Sequence, residues 1–348
     1  MKSLINMMLL LLAVLPNTSC SYHEIEERDC EIFTDSKTYI RFEPVGQGRC
    51  IKTRVCRTTT DNLNSYGVSC SIYDASSTYA SSAYGSYFSN LKIDAVKGTC
   101  EYPWPGERYK VSFFAYAPYG NDALTVSDGY TSGRPVYTYI VPSDITKQAD
   151  FITAEVTDIS GAATSNPVSL KFNHHLSDLT FSVLNKGYED ITIHSISVYG
   201  VKYKGSYSDK WTLEDDVNSA SSNPFTLNVT DSTIARQTTV DVSGTANHMM
   251  LLPQTVTKGT DFIVVNATIN GETKDYTYTL PSDFAMEKGK AYRLKITIGN
   301  KYISVVTIGD VEDWEPESSI ETTGEVDCWE PESSIATSGE VEDWEPEK

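Results

Sequence analysis

The sequence predicts an all-β protein arranged as two tandem β-sandwiches, and three observations carry that prediction. Aromatic residues make up 11 % of the chain, including twenty-two tyrosines, amid many Thr, Val and Ser residues, a mixture suited to pleated, half-buried surfaces. Short segments alternate apolar and polar residues at period two. Gly, Pro and Asp turn signals separate these segments at regular spacing, and no stretch after the leader has the apolar period of a helix.

The elements follow in order. Residues 1–19 read as an export leader. Lys2 precedes an apolar run over residues 4–15, which suits a signal-peptide core and is too short to span a bilayer as a helix. The run ends at Asn17-Thr18-Ser19-Cys20, and a cysteine after small residues at that point reads as a lipoprotein acceptor. Cys20 is therefore the candidate lipidation site, for a palmitate-type anchor. Ordinary cleavage nearby, with Cys20 left as a thiol, is the other reading. Either one exports the chain. Residues 20–37 are polar and charged, a spacer off the membrane.

Thr38-Tyr39-Ile40-Arg41-Phe42-Glu43-Pro44 is the first strand, with Ile40 and Phe42 on one face and Arg41 and Glu43 on the other. A basic loop follows, with Gly46-Gln47-Gly48-Arg49, Lys52-Thr53-Arg54 and Arg57. Residues 71–90, rich in Ser, Ala and Tyr, read as an irregular connection. Strands are expected over 109–119, 136–141 and 151–156. The polar stretch 158–166, ending at Pro167, divides a domain over 38–165 from one over 166–314. Further strands are expected over 168–172, 179–183, 191–199 (with a bulge near His194-Ser195), 249–252, 262–269, 276–280, 292–298 and 303–308. Along 292–298, Leu294, Ile296 and Ile298 face inward.

The tail over 315–348 continues a tandem repeat of about fifteen residues. The run from Gly309 through Trp314-Glu315-Pro316 to Ile320 recurs from Gly324 and again from Gly339. So few apolar positions cannot bury a core, so the later copies are expected to be disordered. The first copy, through Val311 and Trp314, is expected to pack on the second sandwich.

The net charge of −19 is concentrated in that tail. Residues 309–348 hold fifteen Asp/Glu and one Lys, which leaves 32 acids against 27 bases elsewhere. No basic patch supports nucleic-acid binding. Besides Cys20 there are Cys30, Cys50, Cys56, Cys70, Cys100 and Cys328, which export would allow to pair in fifteen ways. Their spacing does not match a zinc site, and no metal ligand set, cofactor fingerprint or catalytic motif stands out. His174 and His175 point to opposite faces of a strand and cannot chelate together. Trp104 and the tyrosines of 107–139 are candidates for a glycan platform, although aromatics in a sandwich are more often core.

Several signatures together resemble the fimbrillin family, the lipoprotein subunits of type V pili. Trp104-Pro105-Gly106 with Val111-Ser112-Phe113-Phe114-Ala115-Tyr116-Ala117-Pro118-Tyr119 is similar to the family's most recognisable stretch. Tyr139-Ile140-Val141-Pro142 with Gln148-Ala149-Asp150, Phe172-Asn173-His174-His175-Leu176-Ser177, Leu251-Leu252-Pro253-Gln254, Lys288-Gly289-Lys290-Ala291-Tyr292 and Val311 to Trp314 follow in the family's order. The likeness runs from about residue 38 to 314.

The resemblance implies two transthyretin-like sandwiches in an outer-membrane lipoprotein that joins other pilus subunits and supports adhesion to host or bacterial surfaces, without catalysis or cofactor. It also implies assembly by strand exchange. An arginine-specific cut after the first strand, here at Arg49 or Arg54, would release that strand, and a neighbour's terminal strand would fill its place. Ile303, Val305 and Val311 make residues 303–311 a better donor than the acidic tail. Cysteine bridges around the basic loop would instead hold the first strand in place. The alternative is a monomeric surface lipoprotein that binds glycans.

Overall fold

The structure, a computed structural model, describes residues 37–45, 63–79, 85–127, 133–244, 247–300 and 303–313. Those residues form twenty-three β-strands, with a 3-10 turn at Ile145–Lys147 and no α-helix among them. The first ten strands are β1 (Tyr39–Val45), β2 (Ser65–Asp74), β3 (Gly85–Asp94), β4 (Thr99–Pro103), β5 (Tyr109–Ala117), β6 (Leu124–Ser127), β7 (Val136–Ile140), β8 (Ile152–Ser160), β9 (Val168–Lys171) and β10 (Asn173–His174). They supply a three-stranded sheet in the order β4-β1-β9 and a five-stranded sheet in the order β10-β8-β5-β2-β3. Between them lies a core that includes Ile40, Phe42, Tyr66, Val68, Phe88, Phe113 and Leu170.

Residues 71–90 correct an expectation. They are not an irregular connection, because β2 continues to Asp74 and β3 begins at Gly85. Tyr66, Val68 and Cys70 point into the core from β2 at period two, while the pairing of β2 with β3 shifts register twice around Cys70. β3 leaves half of its positions exposed, Ser86 and Asn90 among them, where polar side chains are tolerated. In β5 the run from Val111 to Ala117 is buried on both faces, as a continuous apolar run in a central strand should be.

The remaining strands are β11 (Ser177–Asn185), β12 (Ile191–Val198), β13 (Lys204–Tyr207), β14 (Trp211–Leu213), β15 (Phe225–Ile234), β16 (Thr239–Asp241), β17 (Met249–Leu251), β18 (Gln254–Val256), β19 (Asp261–Ile269), β20 (Glu272–Thr279), β21 (Phe284–Met286), β22 (Lys290–Ile298) and β23 (Ile303–Asp313). One sheet runs β16-β11-β22-β23, with β17 also paired to β11, and another runs β15-β12-β19-β20. The second core lies between them, with Phe181, Ile196, Phe262, Leu294 and Ile296 among its members. β12 carries the bulge expected near His194, between Ile193 and Ser195.

Core membership does not change at residue 166. Leu170 and Phe172 belong to the first core, whereas Tyr116, Tyr137, Tyr139 and Phe151 pack in the second. A four-stranded sheet, β14-β13-β7-β6, joins strands from both halves of the chain, with Tyr207 opposite Tyr137.

Candidate functional site: the first strand and its groove

β1 is the candidate site, because it is a short strand wedged between partners of opposite sense. Its first half pairs antiparallel with β4, Tyr39 opposite Pro103 and Arg41 opposite Thr99. Its second half pairs parallel with β9, from Phe42 opposite Val168 to Val45 opposite Lys171. The alternation read from the sequence is obeyed. Ile40 and Phe42 are 0 % and 3 % exposed, while Arg41 and Glu43 face solvent.

The pocket for Phe42 is aromatic. Its ring meets the Phe113 ring edge-on at 5.1 Å, and Trp104 meets the same ring edge-on at 6.2 Å. Trp104 is fixed in turn, since its indole N–H donates to the Thr164 carbonyl at 3.1 Å and its backbone amide donates to the Thr38 carbonyl. The Phe42 amide donates to the Gly98 carbonyl at 2.7 Å. Gly98 sits at φ +62, and a Cβ there would come within 2.1 Å of the Phe42 carbonyl oxygen. The turn that presents Gly98 is held by Asp94, whose carboxylate accepts from the amides of Lys97 and Val96. Those bonds, Lys97's first, hold the Asp94 carboxyl below the usual carboxylate range.

A β1 removed from this setting would leave three things behind: an aromatic slot, the facing edges of β4 and β9, and the Gly98 carbonyl without its donor. Each is a group that another strand can satisfy. The strand is legible in its own alternation, but its partners Trp104, Gly98, Phe113 and β9 are not, because each is distant from it in sequence.

The other predicted residues fall as follows. Cys20, Arg49 and Arg54 lie outside the described residues, as do Trp314 and the later repeats. The basic loop lies between the end of β1 at Val45 and the start of β2 at Ser65. Ile303, Val305 and Val311 lie on β23, whose backbone pairs antiparallel with β22: Ile298 opposite Ile303, Ile296 opposite Val305 and Tyr292 opposite Val311. Ile303 is half-buried against the second core.

Of the seven cysteines, Cys70 and Cys100 are described. Both are free, buried thiols of the first core, and burial pushes each thiol's pKa up. The adjacent histidines have separate partners. His174 Nδ1 lies 2.7 Å from the buried Asp150 carboxylate, and His175 Nε2 lies 2.6 Å from the Thr153 hydroxyl. No group of three or more potential metal ligands occurs among the described residues. Among the described residues, the aromatics weighed as a glycan platform are mostly interior: Trp104, Tyr116, Tyr137 and Tyr139 are buried, Tyr119 is half-buried and Tyr109 is exposed.

Residues 53–314 match the model of a family described as fimbrillin-like. Among solved structures, the chain is similar to a fimbrial protein from Bacteroides vulgatus at 17 % identity and a TM-score of 0.56, covering 80 % of this chain and 99 % of that one. It is also similar to a candidate cell adhesion protein from Bacteroides ovatus at 17 % identity and a TM-score of 0.50, with the same coverage of each chain. At that identity the likeness speaks for the fold. No curated protein matches the chain.

Proposed function

Because the chain belongs to the fimbrillin-like family, we propose that it is a structural, non-catalytic subunit of a cell-surface pilus that assembles by strand exchange and supports adhesion. On this reading the leader exports the chain, Cys20 takes a lipid that holds it at the outer membrane, and β1 keeps its own groove closed until the basic loop is cut at Arg49 or Arg54. A neighbouring subunit's terminal strand, with Ile303, Val305 and Val311, then enters the groove. The observation that carries the reading is the seat of β1. It is paired on both sides, anchored by two apolar side chains, and connected onward only through the basic loop, so a single cut there frees one of its ends. The glycan alternative has less support, because most of the aromatics it needs are interior.

The test is incubation of the full chain with an arginine-specific protease. The expected products begin immediately after Arg49 or Arg54 and appear together with a ladder of oligomers. Assembled material whose chains all still begin at a lipidated Cys20 would sink the processing step.

A further inference from the structure

A cleft opens where three segments distant in sequence meet. Ser143, Asp144 and Thr146 come from the connection through the 3-10 turn after β7, Thr226 and Asn228 from β15, and Asn247 from the approach to β17. Its volume is about 470 Å³, inside the roughly 300–1,000 Å³ of small-molecule sites. Ile145, Pro224 and Leu227 supply the apolar part of the lining.

We propose that this cleft binds a neutral saccharide, with the side-chain amides of Asn228 and Asn247 and the carboxylate of Asp144 holding ring hydroxyls. Hydrogen-bonding capacity is left over there. Among the described residues, the Asn228 and Asn247 side-chain amides and the Ser143 hydroxyl have no hydrogen-bond partner. A side-chain amide offers two donors and an acceptor, which suits neighbouring sugar hydroxyls that each donate and accept.

Charge narrows the class. Asp144 is the one charged side chain in the lining among the described residues. The Thr146 hydroxyl and amide donate to its Oδ1 at 2.6 and 3.0 Å and hold its carboxyl below the usual carboxylate range, so it is ionised at neutral pH. Lys147 Nζ lies 3.9 Å from its other oxygen on a largely exposed side chain. A carboxylate accepts from neutral hydroxyls and repels phosphates and acidic sugars.

The walls are also fixed in advance. Asn223 Nδ2 donates to the Val141 carbonyl at 3.0 Å, tying the connection to the lead of β15. The buried Gln148 donates through Nε2 to the Pro142 carbonyl at 2.9 Å and accepts through Oε1 from the Met250 amide at 2.8 Å, tying the same connection to β17. Binding therefore orders little protein. The compact space beside the 3-10 turn suits a sugar ring better than an extended peptide, even though β15 is the outer strand of its sheet. No aromatic ring lines the cleft among the described residues, so a single site binds weakly. The site shares no residue with β1 or its groove, so it is independent of strand exchange, and it gives adhesion a receptor of stated chemistry.

The full chain, displayed in many copies on beads, is tested against an array of neutral oligosaccharides and their sialylated and sulfated forms. At least one neutral oligosaccharide should be retained, and its acidic forms more weakly. In solution, Asn228→Ala and Asn247→Ala should each weaken binding of that oligosaccharide about ten-fold, the loss of a hydrogen bond or two. Both variants should keep the parent's unfolding midpoint and its protease-dependent oligomer ladder. Asn228 is exposed on β15, so its variant carries the test by itself if Asn247→Ala does not fold. A chain that retains no neutral oligosaccharide, that retains acidic forms equally or better, or whose binding is unchanged in Asn228→Ala would overturn the proposal.

Discussion

The carbonyl oxygen of Phe42 rests against Gly98 so closely that a methyl group at residue 98 would lie 2.1 Å away. The first strand is thus held by a side-chain pocket and by a backbone contact that tolerates no side chain. Gly98→Ala places a Cβ at φ +62 as well as in that contact. The left-handed backbone alone costs about 1–2 kcal/mol. The expected result is a lower unfolding midpoint and faster hydrogen exchange at the Phe42 amide, which donates to residue 98.

Phe42→Ala empties the slot against Phe113. A buried phenylalanine truncated to alanine costs about 3–5 kcal/mol. Denaturant unfolding should show that loss. Under the strand-exchange reading, the cut variant should also form oligomers faster than the cut parent, because its own strand leaves more easily. Slower oligomerisation would count against that reading.

Much of this was legible beforehand. The alternation in β1 and in Leu294, Ile296 and Ile298 of β22 reads directly as one buried face. The strand over β5 is legible too, but its burial on both faces emerges only from the structure. What could not be read was partnership. Nothing local in Val168-Ser169-Leu170 says that this segment lies parallel to β1, since a ladder between strands more than a hundred residues apart leaves no mark in either one. β2 was missed for a different reason: Ser65, Ser69 and Ser71 give the segment a loop-like composition that masks the core face made by Tyr66, Val68, Cys70 and Ile72. Phe172 looked like part of the second domain but packs edge-on against Tyr66 in the first core.

Acid should weaken the fold through His175. Burial, then Lys288 and His174, hold its pKa well below the ordinary histidine value of 6.5. Its ring lies against Tyr207 and Phe151, with Thr153 at Nε2. The folded protein keeps this ring neutral while the unfolded chain binds a proton, so the stability is fully present above about pH 6.5 and declines as the pH falls. The decline is up to about 1.4 kcal/mol per pH unit from this one group. Urea unfolding at several pH values should show a shallower slope in His175→Gln than in the parent.

Tyr116 offers a spectroscopic handle. Its hydroxyl donates to Asn90 at 2.6 Å, and burial above all pushes its pKa up to about 12. A Cβ at Gly67 would lie 2.1 Å from the Tyr116 ring. Gly67→Ala should displace the ring, bring its titration back toward the ordinary tyrosine range near 10, and lower stability. An unchanged ultraviolet titration would show that the ring has other room to move.

The sheet β14-β13-β7-β6 has a mechanical consequence. Strands from before and after residue 166 share one hydrogen-bonded ladder, from Lys204 opposite Ile140 to Tyr207 opposite Tyr137, and Arg134 adds a bond to the Ser208 carbonyl. A tensile load that enters at the first core and leaves by the second meets these bonds as a set, not one at a time. That makes the joint between the two halves of the chain a stiff link, one that opens only when the whole ladder gives way.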